Sequence, residues 1–320
     1  MRRVMFPFLR ASLVLLVLSP LAAGSANSAD TPESISITEP FEQAGLIFQL
    51  AEIDPDADRI TPLVVLLGGS EGGLWSGAMG RDLRRSGFST LSLSYFGHEG
   101  QPLRLIERPL EPIATGLTLA RQTRGATRRC MAVIGVSKGG ELALLLASHG
   151  DRLAPESMPL ADAFVSAAPS HVVWQAPHVT IQVRSSWSMD GEPIDFVPYP
   201  WLSARLPDVF RDRLRVGRYH EDALRNEAAV ADAIIPVERI AQPTLLLAGT
   251  QDEMWPSADM ARAIMERAER LNSDTPLRAE IGAFDHFVLS DADARAQVIA
   301  FVHTTLQSEA LAGRCEAVIE

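Results

Sequence analysis

The sequence is almost without lysine and nearly without cysteine. Of the 29 basic residues in this chain of 320, one is a lysine, Lys138, and the rest are arginine. The two cysteines, Cys130 and Cys315, are too few for a disulfide framework. Cys130 enters an apolar stretch, so it reads as a buried free thiol, and a bridge to Cys315 is the alternative open to an exported chain. No CxxC, HExxH or paired-cysteine spacing occurs, so neither a metal nor another cofactor is expected. Internal repeats and low-complexity tracts are absent. Basic excess is also lacking: the net charge is −11, which argues against binding nucleic acid or an anionic membrane surface.

A hydrophobic content of 47% and a charged content of 22% are ordinary for a globular chain long enough for one large α/β domain. The first 29 residues read differently. Arg2, Arg3 and Arg10 make a charged start without acid, "ASLVLLVLSPLAA" is an apolar core too short to span a bilayer, and "GSANSA" supplies small residues. This is the pattern of a secretory signal, cut between Ala23 and Ala29, which predicts an exported protein (periplasmic or secreted) with no membrane span after signal removal. The alternative is a retained anchor.

Residues 30–320 read as one α/β domain. "TPESISITEP" and "GLIFQLAEIDP" read as two short strands. "PLVVLLGG", "GFSTLSLSYFG", "CMAVIGVS", "ADAFVSAAP", "PTLLLAGT" and "PLRAEIGAF" are further apolar runs bounded by Gly, Pro or Ser. Helical patterns fall at Trp75–Arg85, Pro112–Arg124, Gly139–Ser148, Ser257–Leu271 and Asp291–Gln307. Strands alternating with helices predict a mostly parallel sheet covered on both faces. The exception is Ser170–Val237, rich in proline and holding Trp174, Trp187 and Trp201. It reads as an insertion over the strand ends, closed by a helix near Glu221–Ala233.

Chemistry enters at "VIGVSKGGELALLLASHG". "GVSKG" is Gly-x-Ser-x-Gly, with an apolar strand before it and a helical pattern after it, which is the context of a nucleophile turn. The alternative is an ordinary helix start. A serine hydroxyl needs a base to take its proton and an acid to orient the base. On such a fold these follow in the order serine, acid, histidine. Asp252 follows "TLLLAG" and His286 follows "LRAEIGAF", so Ser137, Asp252 and His286 are the candidate catalytic set, with Glu253 and Asp285 as rival acids. Asp285 is the chain neighbour of His286, so their side chains should diverge. The other histidines, at 98, 149, 171, 178, 220 and 303, read as surface or capping residues. The oxyanion needs two backbone N–H donors: Lys138, next after the serine, and Ser70 in "GGSEGG", with Glu71 as the rival for the second.

"LLGGSEGGL", "FSTLSLSYFG", "GVSKGGELALLLAS", "PSHVVW", "SSWSMDGEPIDFVPY" and "ADAIIPVERI" together resemble the C-terminal catalytic domain of the bile-acid-CoA:amino-acid N-acyltransferase and acyl-CoA thioesterase family, from about Pro62 to Phe301. The resemblance implies an α/β-hydrolase fold, cleavage or transfer of acyl groups from thioesters, and the roles of nucleophile, acid and base for Ser137, Asp252 and His286. The family's eukaryotic enzymes carry an N-terminal β-sandwich domain, whereas residues 30–61 alone stand here between the signal and the first core strand. The expected activity is that of a serine hydrolase on a small-molecule ester or thioester. The alternatives are an acyltransferase with an amine or alcohol acceptor, and a non-catalytic binding protein on a hydrolase scaffold. The insertion is expected to cover the Ser137 mouth, with Trp174, Trp187 and Tyr199 as apolar walls, rather than to make a core of its own. Lys138 reads first as one half of an ion pair with Glu141, which on a helix surface contributes a few tenths of a kcal/mol. A narrow slot beside the oxyanion, or a substrate anion, is the other reading of it. The oligomeric state is not legible.

Overall fold

The computed structural model describes residues 34–55, 61–122, 129–155, 158–177, 183–200, 211–212, 215–271 and 273–308. All of these belong to one compact unit, Thr31–Glu320. The expected signal segment, Cys315, Trp201 and His178 lie outside the described residues.

Nine strands form the main sheet among the described residues. β1 (Ile35–Ile37), β2 (Phe41–Gln43) and β3 (Leu46–Ile53) form its antiparallel edge. β4 (Leu63–Leu67), β5 (Ser89–Ser94), β7 (Met131–Val136), β8 (Ala163–Ala167), β11 (Thr244–Gly249) and β12 (Leu277–Gly282) run parallel. The spatial order is β1-β3-β5-β4-β7-β8-β11-β12, with β2 paired to β3. β6 (Arg108–Pro109), β9 (Trp187–Met189) and β10 (Glu192–Pro193) make a separate three-stranded ribbon. The helices are α1 (Gly77–Arg85), α2 (Leu110–Arg121), α3 (Lys138–Ser148), α4 (Gly150–Leu153), α5 (Gly217–Leu224), α6 (Glu227–Ala233), α7 (Ser257–Arg270) and α8 (Ala292–Leu306).

The strands read as continuous apolar runs because both faces of the sheet are covered. Successive side chains point to opposite faces. Leu63, Val65 and Leu67 of β4, and Met131 and Val133 of β7, join a core shared with Leu142–Ala147 of α3 and with Ala261 and Ile264 of α7. Their neighbours Val64, Leu66, Ala132 and Ile134 join a second core with Met79 and Leu83 of α1 and with Val298 and Val302 of α8. Burying some 25 cal/mol per Å² of apolar area on two faces is the main force holding this architecture.

Three expectations need correction. The segment before residue 54 holds three strands rather than two, since Ala44 (φ 55°) and Gly45 (φ 75°) make a tight turn that folds β2 back on β3. The helix expected near Glu221–Ala233 is two helices, α5 and α6, because the Asn226 side chain accepts from the Ala229 N–H and starts a new N-terminus. Cys130 is disulfide-bonded, not a free thiol.

Candidate active site

β7 ends in the sheet interior and hands the chain to α3 through Ser137, whose φ of 56° and ψ of −118° lie in a region that costs an L-residue conformational strain. The flanking glycines are what allow it. A Cβ on Gly135 would stand 1.9 Å from the Gly139 carbonyl oxygen, and one on Gly139 would stand 2.4 Å from the carbonyl oxygens of both Leu67 and Gly68. The turn is locked by the Ser137 N–H donating to the Ala167 carbonyl at 2.9 Å and by the Glu141 N–H donating to the Ser137 carbonyl at 3.0 Å.

The parallel topology places the loops after β4, β7, β11 and β12 at one end of the sheet, where ligands bind in open α/β folds. The structure brings Ser137, Asp252 and His286 together there. His286 Nε2 is 2.9 Å from Ser137 Oγ, and its Nδ1 is 2.9 and 3.0 Å from the two Asp252 carboxylate oxygens. Asp252 also accepts the backbone N–H groups of Met254 (2.9 Å) and Trp255 (3.1 Å), and 1% of its side chain is exposed. A carboxylate so held accepts from Nδ1–H, which leaves Nε2 free to accept the Ser137 hydroxyl proton. Trp255 and Phe287 pack edge-on to the imidazole, with centroids 5.4 and 5.7 Å away, and fix its plane. This arrangement can deprotonate the serine hydroxyl as it attacks a carbonyl.

The rival acids lie elsewhere. Asp285 accepts the Phe287 N–H at 2.8 Å, so it caps its own turn. Glu253 is exposed and pairs with Arg215 at 2.9 Å. His303 packs on Phe88 in the terminal helix, and His220 is buried among aromatic rings.

Ser70, Glu71 and Ser137 share the wall of one cavity of about 440 Å³. Gly69 lies close against the serine: a Cβ there would stand 3.3 Å from Ser137 Cβ. The Glu71 carboxylate accepts the Gly69 N–H at 3.1 Å and braces the loop. The Lys138 N–H opens α3 beside it.

The expected walls are not where the sequence pointed. The cavity's apolar lining is Trp75, Met79, Met254, Phe287 and Leu289, and neither Trp174, Trp187 nor Tyr199 belongs to it. Both tryptophans have no exposed surface. Trp187 donates its indole N–H to Glu141 at 2.7 Å and packs on Tyr95. Trp174 stacks on Tyr199, with His220 edge-on at 4.9 Å. The physical reason is that the insertion does find a core. Val172, Trp174, Val197, Ala223 and Ala233 cluster with Trp255 and Met260 of the main domain. Trp174 and Tyr199 therefore pack in this cluster with Trp255, and Trp187 is buried in the main core with Tyr95, so none of the three faces the cavity. The actual walls follow the chemical groups in the chain, on the segments after β4, β11 and β12 and on the first turn of α1, and that adjacency is the signal the sequence offers.

Residues 115–279 match the profile of the family described as "BAAT / Acyl-CoA thioester hydrolase C terminal". No curated protein matches the sequence. Among solved structures, the chain is similar to an esterase of Pyrococcus furiosus, with TM-score 0.53 and 12% identity over 85% of this chain and 93% of that one. It is also similar to an acylaminoacyl peptidase of Pyrococcus horikoshii, with TM-score 0.55 and 15% identity over 86% of this chain and 42% of that one. At such identities the likeness is one of fold, and the fold is that of the α/β-hydrolases.

Proposed function

We propose, from the premise that this chain belongs to the BAAT / acyl-CoA thioester hydrolase C-terminal family, that it cleaves carboxylic ester or thioester bonds through an acyl-enzyme on Ser137. The observation that carries this reading is the continuous hydrogen-bond chain from Ser137 Oγ through His286 to Asp252. Ser137 Oγ attacks the acyl carbonyl while His286 Nε2 takes its proton, and Asp252 stabilises the imidazolium that results. The oxyanion is held by the N–H groups of Lys138 and Ser70. His286 then protonates the departing alcohol or thiol, the carbonyl re-forms, and the acyl group stays on Ser137. Water attacks the acyl carbonyl as His286 takes its proton; the second tetrahedral species then collapses, the bond from the acyl carbon to Ser137 Oγ breaks, His286 returns the proton to Oγ, and the acid leaves.

The apolar lining by Trp75, Met79, Met254, Phe287 and Leu289 supports an acyl chain, rather than a charged group, as the part of the substrate lying beside the serine. We also propose that the protein is exported. The Arg2, Arg3 and Arg10 start with its short apolar core supports this, as does the bonded state of Cys130, since disulfides persist in oxidising compartments. Among the described residues no helix is long and apolar enough to cross a membrane.

The test is labelling with a fluorophosphonate probe, followed by mapping of the modified residue and a rate profile over p-nitrophenyl esters and acyl-CoAs. Labelling at Ser137 with ester or thioester turnover is expected. An unlabelled Ser137 would leave a scaffold that binds without catalysis.

A further inference from the structure

The single lysine of the chain is not a surface residue. Lys138 Nζ lies 2.7 Å from both carboxylate oxygens of Glu141, and 3% and 0% of the two side chains are exposed. Glu141 Oε1 also accepts the Trp187 indole N–H at 2.7 Å and the Trp174 backbone N–H at 3.3 Å. The ammonium lies 5.6 Å from the centroid of the Trp187 ring.

Helix physics does not explain this placement. A cation in the first turn of α3 faces the positive end of the helix dipole and is disfavoured there, whereas Glu141 is favoured. Nor is the pair a device for stability, because the desolvation of two charges roughly cancels their attraction and an apolar pair of equal volume often does as well. Burial alone pushes the Lys138 ammonium down and the Glu141 carboxyl up, and each partner pulls the other back. What the pair does have is position. Lys138 follows the nucleophile directly, and Glu141 donates its backbone N–H to the Ser137 carbonyl. Its carboxylate then reaches Trp174 and Trp187, both in the segment inserted between β8 and β11. A compact ammonium meets both oxygens of one carboxylate in this space, and a guanidinium is broader.

We infer that Lys138 and Glu141 are a positioning pair that fixes the peptide after Ser137, and with it the N–H facing the oxyanion, by tying the nucleophile turn to the buried tryptophans of the insertion. This rests on the serine mechanism proposed above. Neither side chain touches the reacting atoms; both act through the backbone of the turn.

The experiment uses the full chain, and compares wild type with Glu141→Gln and with the double variant Lys138→Met, Glu141→Leu, which removes both buried charges together. kcat and KM are measured on a short p-nitrophenyl ester, with the fluorophosphonate labelling rate and thermal melts alongside. Misplacement of one oxyanion donor lowers kcat about a hundredfold while KM stays within about threefold. That split is expected in both variants at temperatures where they are folded. Wild-type kcat in either folded variant overturns the inference, and so does a kcat loss that only follows the folded fraction. If the double variant does not fold, Glu141→Gln, equal in size and still able to accept from Trp187, decides. A wild-type protein that is not labelled at Ser137 removes the serine mechanism itself, which is a different result from labelling that the variants leave unchanged.

Discussion

Ser137 sits in a strained backbone conformation, with φ 56° and ψ −118°, and its hydroxyl carries the proposed chemistry. Replacing it by alanine deletes one oxygen and leaves the turn, Gly135 and Gly139 in place. Ser137→Ala is therefore expected to lose about 10⁴-fold or more in ester turnover with an unchanged thermal melt, and hydrolysis near the wild-type rate would remove the assignment. The carboxylates divide as sharply. Asp252→Asn removes the charge that stabilises the imidazolium and, with Oδ1 held by the Met254 and Trp255 N–H groups, turns an N–H donor toward Nδ1, so it should nearly silence the enzyme. Asp285→Asn touches only the Phe287 N–H and should leave kcat within a few-fold. A kinetic comparison of the two in which Asp285→Asn is the more damaging would name the wrong acid here. Ser137, Asp252 and His286 were legible in the sequence as a candidate set because each follows an apolar strand, and strand ends on one side of a parallel sheet converge. Glu141 was legible only as the ion-pair partner of Lys138, three residues on in sequence. That the pair is buried, and that Trp187 and Trp174 complete its shell, depends on a contact between residues 46 apart, for which spacing gives no sign.

At the scale of elements, the long core strands were readable because burial on both faces makes them short continuous apolar runs between turn residues. The two-residue strands β6 and β10 were not, since they exist only through pairing with β9. The insertion differs from its sequence expectation for a related reason. Aromatics among prolines show no periodicity, so sequence cannot say whether they face a cavity or one another. They face one another: Trp174, Tyr199, Trp255 and His220 are in mutual ring contact. Trp174→Ala is accordingly expected to cost about 3–5 kcal/mol of stability. Activity should fall alike on short and long acyl esters, in proportion to the folded fraction seen in a denaturant melt. Phe287→Ala should behave in the opposite way. Phe287 is 51% exposed and lines the cavity, so its loss should leave the melt almost unmoved. The ratio of kcat/KM between long and short esters should rise by roughly tenfold, and a constant ratio would show that this ring does not bound the acyl site.

The whole molecule joins its layers with charges placed deep in the interior. Arg129 reaches Glu52 at 2.5 Å across the start of the sheet, and Arg121 reaches Asp162 at 2.9 Å, each with side chains almost fully buried. His220 is the reverse case, a buried imidazole in the aromatic cluster between the insertion and the acid loop. Burial pushes its pKa down from 6.5 to about 4, and its Nδ1 lies 3.1 Å from the Val216 carbonyl oxygen. In the unfolded chain the same group titrates near 6.5. Between these two values the unfolded state binds a proton that the native state refuses, so stability rises with pH through that window and is lost as pH falls from about 6.5 toward 4. By about pH 5 this one group costs about 2 kcal/mol. His171, pushed down to about 4 by burial as well, acts in the same direction. The expected outcome is a melting temperature that declines steeply between pH 7 and pH 5 in the wild type, and less steeply in His220→Gln, which cannot take up the proton in either state. The glutamine variant is expected to be less stable than the wild type at pH 7, having lost ring contacts with Trp174 and Trp255, and to close much of that gap by pH 5. Parallel curves for the two proteins over this range would show that His220 is not what makes the fold acid-sensitive.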